Sequence, residues 1–317
     1  MSTALSRNTL RGIWPALITP WSDDGELDER RFVDEIRAYA GTGVNGIYTG
    51  GTTGEFYAQD DRTFERITEV ACREGHAIGV PVQIGCTALS TRTVRRRVRV
   101  AVDRGADGVQ IAIPFWLELK GDEVTAFIRD VADEAGDVPL ILYHTPRAKR
   151  MLAPALIAEI AASVPTLLGM KYPSVDVPTL RTILRLVPDL CVFVGEDSLL
   201  PMIREGARGC YSSVAGLNAR FLVDLYRLAA AGQYDEAQTL HDAVHRLVTE
   251  VLWPMVHDEG LWDSAVDRVM RVAGGVDVGL KCQGPYRSAG PEHVERLVAW
   301  CRSHAPVLLG QQGTEPG

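Results

Sequence analysis

The chain has 317 residues, 46% of them apolar and 23% charged, with a formal net charge of −8 and a pI near 5.4. That is enough for a large core, either one barrel or two smaller domains. The acidity makes nucleic acid and anionic membranes poor partners, and no apolar run approaches the roughly 18 residues of a membrane span.

The first strand expected is Ile13–Thr19, followed by a helix near 29–41 and a second strand at Val44–Thr49. Helix 60–75, strand Pro81–Cys86, helix 91–104 and strand Gly108–Ile113 come next. Helix 121–135, strand Pro139–Tyr143, helix 154–162 and strand Leu167–Lys171 continue the alternation. It closes with helix 176–187, strand Cys191–Gly195, helix 198–206, strand Cys210–Val214 and helix 218–231. Glycines at 41, 43, 75, 105, 136 and 206 fall where helices should stop. Short β runs alternating with helix-period stretches imply a parallel sheet with crossover helices. Eight such units match a (β/α)8 TIM barrel in count and size. An open doubly wound sheet is the rival.

Beyond residue 231 the β runs vanish, and 234–256, 262–273 and 291–304 read as helices. The expected organisation is a barrel over 1–231 that carries the active site, with a C-terminal helical extension over 232–317. The polar tail, Gln311–Gly317, is expected to fray. Six cysteines lie scattered with no Cys-x-x-Cys pair; several read as small core residues, as in a reduced cytoplasm. Met1–Leu10 has no apolar core of the signal-peptide type.

In a (β/α)8 barrel the chemistry gathers at the C-terminal ends of the strands. Lys171 ends the apolar run Leu167-Leu168-Gly169-Met170. A desolvated amine there is a nucleophile able to form an imine with a 2-keto acid, and the imine is an electron sink for making or breaking a carbon–carbon bond. The alternative is a structural lysine paired with a carboxylate. Gly50-Gly51-Thr52-Thr53-Gly54 follows the second strand. Its glycines let backbone N–H groups approach an anion, and the Thr52 and Thr53 hydroxyls add donors. It has no P-loop lysine, which argues against a nucleotide. Glu55 reads as a first-turn helix residue favoured by the helix dipole. Tyr143 ends the fifth strand, where a phenol can relay protons to an imine, or else serve as a core tyrosine.

The combination Gly-Thr-Thr-Gly-Glu (51–55), Tyr-x-x-Pro (143–146) and Gly-Met-Lys (169–171), with Gly195-Glu196-Asp197 and Gly206-Ala207-Arg208-Gly209, resembles the dihydrodipicolinate synthase / N-acetylneuraminate lyase superfamily. The resemblance spans nearly the whole chain. It implies a class I aldolase on a TIM barrel, usually a homotetramer, with no metal or organic cofactor and with small keto acids and aldehydes as its partners. It makes Lys171 the imine-forming residue for pyruvate and Tyr143 the proton relay. It also gives Thr52 and Thr53 the substrate carboxylate and the passing of protons, and lines the pocket with Tyr211; Gly51, from the loop reading, is a further substrate-binding candidate.

The departures are informative. Dihydrodipicolinate synthases carry an arginine two residues after the proline of Tyr-x-x-Pro; Ala148 stands there, flanked by Arg147 and Lys149. Their second tyrosine after strand 4 is replaced by Trp116, in Ile113-Pro114-Phe115-Trp116. Together with Lys171-Tyr172 and Gly284-Pro285-Tyr286, these features look similar to the hydratase-aldolase branch, which acts on arylidene pyruvates. Trp116 is then expected either to stack on an aromatic ring or to pack at the barrel mouth. His144 is expected either to touch a leaving group or to be a neutral ring held by a backbone carbonyl.

Other readings are a lyase or dehydratase of a sugar-derived 2-keto acid, a divergent dihydrodipicolinate synthase, and a non-catalytic keto-acid-binding barrel. Arg92, Arg95, Arg96, Arg97 and Arg99 are expected to form the solvated face of a helix whose apolar stripe is Val94, Val98, Ala101 and Val102. His241 and His245 have zinc-compatible spacing but no third ligand, and read as a surface pair. Cys86 reads as a core residue rather than a nucleophile.

Overall fold

A computed structural model describes residues 5–310 of the chain. The tail 311–317 lies outside the described residues, as do the first four residues of the Met1–Leu10 segment. Eight parallel strands form one sheet: β1 (Gly12–Pro15), β2 (Ile47–Thr49), β3 (Val82–Gly85), β4 (Gly108–Ile111), β5 (Leu140–Tyr143), β6 (Leu167–Lys171), β7 (Cys191–Val194) and β8 (Gly209–Ser212). Each pairs with its neighbour in sequence, and β1 pairs with β8. A parallel bridge from Ala16 to Tyr48 brings β1 against β2, so the sheet closes as the TIM barrel expected.

The strands are shorter than their apolar runs. The Leu17 N–H still reaches Tyr48 O, but the Ile18 N–H turns to the Glu35 carboxylate, so the chain leaves the ladder before Thr19. The helices that cross between strands are α1 (Glu29–Arg37), α2 (Asp61–Ala77), α3 (Thr91–Asp103), α4 (Gly121–Ala135), α5 (Pro154–Ser163), α6 (Val177–Leu186) and α7 (Leu199–Arg204). Asp28, Asp60, Ser90 and Asp176 cap four of them by accepting from backbone N–H groups. The next helix, α8 (Ala215–Ala230), is kinked at Asn218, whose side chain accepts from Phe221 N–H; regular helix starts there, as the sequence indicated.

Side chains alternate across each strand. Ile13, Ile47, Met170, Val192 and Cys210 face outward into the shell between sheet and helices. Trp14, Tyr48, Ile141, Phe193 and Tyr211 point inward and fill the barrel. The same parity sends Tyr143 and Lys171 inward at the top of β5 and β6, where they are register partners.

The C-terminal part holds α9 (Tyr234–Leu247), α10 (Trp253–His257), α11 (Asp263–Ala273) and α12 (Pro291–His304). The single helix expected over 234–256 is interrupted by a π turn at Val248–Leu252, next to Pro254, which has no N–H to continue an α ladder. Helix α11 is buried along most of its length and packs on α8 and α12. No helix among the described residues is long and apolar enough to cross a membrane. All six cysteines are buried and unpaired. Burial pushes the Cys86 thiol far above its usual range, in keeping with a core residue.

Two surface assignments are corrected. Arg97 is buried; its guanidinium donates to Thr87 O (2.8 Å) and Gln59 O (3.0 Å) and lies over the Phe64 ring. It ties α3 to two loops, whereas Arg92, Arg95, Arg96 and Arg99 face solvent or stay half-exposed. His241 is also buried, its Nε2 2.9 Å from Asp197 O; only His245 of that pair is exposed.

Candidate active site

The loop after β2 is shaped by close backbone contact. Gly50 has φ +74°, and a Cβ on it would stand 2.4 Å from Gly85 O. No other residue fits there, and the approach seats Gly51-Thr52-Thr53 at the barrel mouth. The Gly54 carbonyl accepts from Thr19 Oγ1 and Gln59 Nε2, both at 2.7 Å.

Glu55 is not a first-turn dipole residue. It adopts φ +50°, is fully buried, and pairs with the equally buried Arg268 of α11. Its carboxylate also accepts from Trp21 Nε1 (2.6 Å) and Gln283 N–H (2.9 Å). The β2 loop is therefore tied to α11 and to the segment that follows it.

Above the barrel core lies a cavity of about 460 Å³. Lys171, Tyr143, Thr52, Thr53 and Tyr211 all line it, so most of the residues singled out in the sequence meet in one place. Three phenol rings surround Lys171 Nζ, with centroids at 4.4 Å (Tyr143), 5.5 Å (Tyr211) and 5.6 Å (Tyr48). Among the described residues Lys171 makes no ion pair, so the structural-lysine alternative has no carboxylate to support it. Tyr211 donates to Gln83 Oε1 (2.6 Å) beneath the cavity floor, and burial holds its phenol protonated well above the usual range. The ring lines the pocket while its hydroxyl is held by the barrel core.

One wall is acidic: it includes Glu196 and Asp197 of the Gly195-Glu196-Asp197 motif, and also Asp263 and Asp267, which were not legible in the sequence. Asp267, on α11, accepts from Thr53 Oγ1 at 2.7 Å. Burial, reinforced by Asp263 nearby, pushes its carboxyl up to about 7. Glu196, in the turn after β7, is raised by burial too, although it accepts from the Ser213 and Val214 N–H groups (both 3.1 Å).

A second cavity of about 240 Å³ opens beside the first and shares Thr52, Tyr143, Thr145 and Arg147 with it. Phe56, Tyr57, Phe115, Trp262 and Tyr286 form its walls, with Ala148 adding a small apolar surface. The rings meet edge-on: Phe56 with Phe115 at 6.1 Å, and Tyr57 with Tyr286 at 4.9 Å. Arg147 stands between the cavities, held by Asp263 through two bonds of 2.8 and 3.0 Å.

Two expected contacts lie elsewhere. Trp116 lines neither cavity; its ring is 73% exposed and sits under Lys149 Nζ. His144 is buried behind the site, where its Nε2 accepts from the Leu152 N–H (2.6 Å) and its ring meets Tyr172 edge-on. It is held by a backbone amide rather than a carbonyl, and burial lowers its pKa to about 4, so the ring is neutral.

The model of the dihydrodipicolinate synthetase family matches residues 9–302. A 4-hydroxy-tetrahydrodipicolinate synthase of Methanospirillum hungatei is 32% identical over 236 residues, covering 73% of this chain and 80% of that protein. The chain belongs to the dihydrodipicolinate synthetase family. An N-acetylneuraminate lyase of Rhizobium meliloti is 29% identical over 308 residues, 96% of this chain and 98% of its own. Among solved structures, a prophage protein of the dihydrodipicolinic acid synthase family from E. coli K12, in complex with pyruvate, superposes with a TM-score of 0.83 at 23% identity, covering 93% of this chain and 98% of that one. As a member of the dihydrodipicolinate synthetase family the protein is a pyruvate-dependent lyase of the class I aldolase type, a chemistry that uses no metal or organic cofactor.

Proposed function

We propose that Lys171 forms an imine with pyruvate, and that the aldehyde joined to it or released from it carries an apolar, aromatic group. The observation that carries this reading is the ring-walled cavity beside Lys171, reached past Tyr143 and Thr52. Aromatic side chains bury flat apolar groups well, and Ala148 leaves room for one.

Lys171 attacks the C2 ketone of an arylidene pyruvate or its aldol, and Tyr143 protonates the departing carbinolamine oxygen. With an unsaturated substrate, water adds to the conjugated imine. Cleavage of the carbon–carbon bond sends its electron pair into the iminium and frees the aldehyde, leaving an enamine of pyruvate. Thr53 and Tyr143 pass the protons, and hydrolysis releases pyruvate. The Thr52 hydroxyl and the Gly51 backbone hold the carboxylate. Condensation is the same path reversed. In this reading Trp116 and His144 take no part in binding, and Arg147 orients polar substituents between the two cavities. A homotetramer in the cytoplasm completes the reading; sedimentation velocity tests the assembly.

Intact-mass measurement after pyruvate and borohydride should give a reduced pyruvoyl adduct mapped to Lys171, and Lys171→Ala should lose it. An adduct that persists on another lysine refutes the assignment. The acidic wall, with Asp263, Asp267 and Glu196, favours a second reading in which hydroxyls of a sugar-derived keto acid are the ligands. An aldehyde screen with pyruvate separates the two, since polyhydroxylated aldehydes outperforming benzaldehydes would select the second.

A further inference from the structure

Among the carboxyls that line the cavity, Asp267 is the one bonded to the Thr53 hydroxyl. Thr53 Oγ1 has a single hydrogen to give, and it gives it to Asp267 Oδ2 at 2.7 Å. Its lone pairs remain for the cavity that it lines with Lys171 and Tyr143. Asp267 is itself buried on α11, between the buried Val266 and Arg268.

We infer that Asp267, acting through the Thr53 hydroxyl, stores and returns the proton that the imine cycle moves at C3 of pyruvate. The inference rests on the pyruvate-imine reading above. In the pyruvate imine a C3 proton passes to the Thr53 oxygen while the Thr53 hydroxyl proton passes to the Asp267 carboxylate. The C3–H electron pair becomes the C2=C3 bond of the enamine, and the iminium π pair becomes the nitrogen lone pair. Asp267 is then a neutral acid. The reverse step gives the proton back to C3, so the cycle needs no outside acid, base or oxidant. In the cleavage direction the same pair takes the alcohol proton of the aldol and delivers it to the enamine carbon, which leaves the balance unchanged.

The surroundings favour a carboxyl that exchanges its proton near neutrality. Asp263 on the same helix and Glu196 from the turn after β7 both oppose its charge, as does its burial. Thr53 from the β2 loop and Ser213 from the β8 loop stabilise the ionised form. Tyr39, after α1, feels its charge, and Lys171 and Tyr143 face the same cavity. The arginines of α11 are engaged elsewhere, Arg268 with Glu55 and Arg271 with Glu35 O and Gly216 O. Asp267 is a positioning residue that acts through Thr53 and not by touching substrate.

The test uses pyruvate alone. Methyl deuteration of pyruvate in D2O is followed by NMR from about pH 5.5 to about pH 9, with borohydride-trapped adduct measured in parallel to count imine. For the unmodified protein, exchange per imine should rise as Asp267 ionises near neutral pH and then level off. Asp267→Asn should trap imine normally yet exchange roughly 10²-fold more slowly, with that limb gone. Thr53→Val should show the same loss, and the double variant should be no slower than either, because the two act as one unit. If Asp267→Asn does not fold, Thr53→Val carries the test. Exchange within about three-fold of the unmodified protein, with the limb intact, overturns the inference. Absence of any adduct in the unmodified protein defeats the pyruvate reading itself, and the inference with it. That outcome is distinct from normal adduct with unchanged exchange.

Discussion

Glu55→Gln is the substitution most informative about how the fold holds the site. The native carboxylate sits with Arg268, both side chains having no solvent exposure. Its oxygens accept from three donors: Trp21 Nε1, Arg268 Nη2 and Gln283 N–H. A glutamine keeps the shape but neutralises the group and turns one acceptor into a donor. Arg268 would then be left buried with carbonyls for company, the nearest being Thr19 O at 2.7 Å. Breaking a buried pair on one side costs about 3–5 kcal/mol. The Thr19 carbonyl offsets part of that, and one further donor loses its acceptor at about 1 kcal/mol or more. The net expectation is a loss of about 4 kcal/mol, a large share of a typical stability of about 5–15 kcal/mol. Urea unfolding followed by circular dichroism measures it. Arg268→Met should cost a similar amount, whereas Glu55→Met combined with Arg268→Met should recover part of the loss, because neither charge is then stranded. A Glu55→Gln protein within about 1 kcal/mol of the unmodified one, or a double variant no better than the worse single, would refute this reading of the pair.

The ring-walled cavity predicts that Phe115→Ala raises KM for an aromatic aldehyde roughly ten-fold, from the loss of about 1–2 kcal/mol of apolar contact, with little change in pyruvate binding. Trp116→Ala, by contrast, should leave KM for the same aldehyde within about two-fold, because its ring lies outside both cavities; steady-state kinetics reads both. His144 has a folded-state pKa of about 4 against an ordinary value of 6.5, so the unfolded chain takes the proton first as the pH falls. The stability this contributes is complete above about pH 6.5 and is lost on acidification towards pH 4, by about 3 kcal/mol. Unfolding free energies measured across that window for the native protein and His144→Asn should differ in slope; parallel slopes would show that the ring does not titrate as its burial implies.

The barrel was legible because its signals are local. Short apolar runs, helix periods and glycine stops recur at each unit, and they gave the number and order of the strands. The cavity-lining ends of β2, β5 and β6 were legible for the same reason: Tyr143 and Lys171 each close an apolar run, Thr52 and Thr53 follow one across two glycines, and strand parity points Tyr143 and Lys171 inward together. Long-range pairings were not legible. Thr53 and Asp267 are 214 positions apart, and Glu55 and Arg268 are 213 apart, and nothing in the spacing of either segment announces the other. Arg97 was hidden within a run of arginines whose other members are exposed or half-exposed, and the stripe partner Val102 is only half-buried. Trp116 and His144 carry the right chemistry beside the right strands. Their direction depends on how loops 114–120 and 144–153 turn, which periodicity does not encode.

Helix α11 turns successive residues to different tasks: Asp267 to the cavity, Arg268 to the ion pair with Glu55 of the β2 loop. The two halves of the chain therefore cannot be inherited separately. A recombinant that took its first 231 residues from this protein and the rest from a relative would need a matching charge for Glu55 and a matching partner for Thr53 at consecutive positions. Without both, the Gly-Thr-Thr-Gly turn would sit over an orphaned carboxylate. Crossovers upstream of β2 should be tolerated far more readily than crossovers between β2 and α11, because they leave both pairs within one parent.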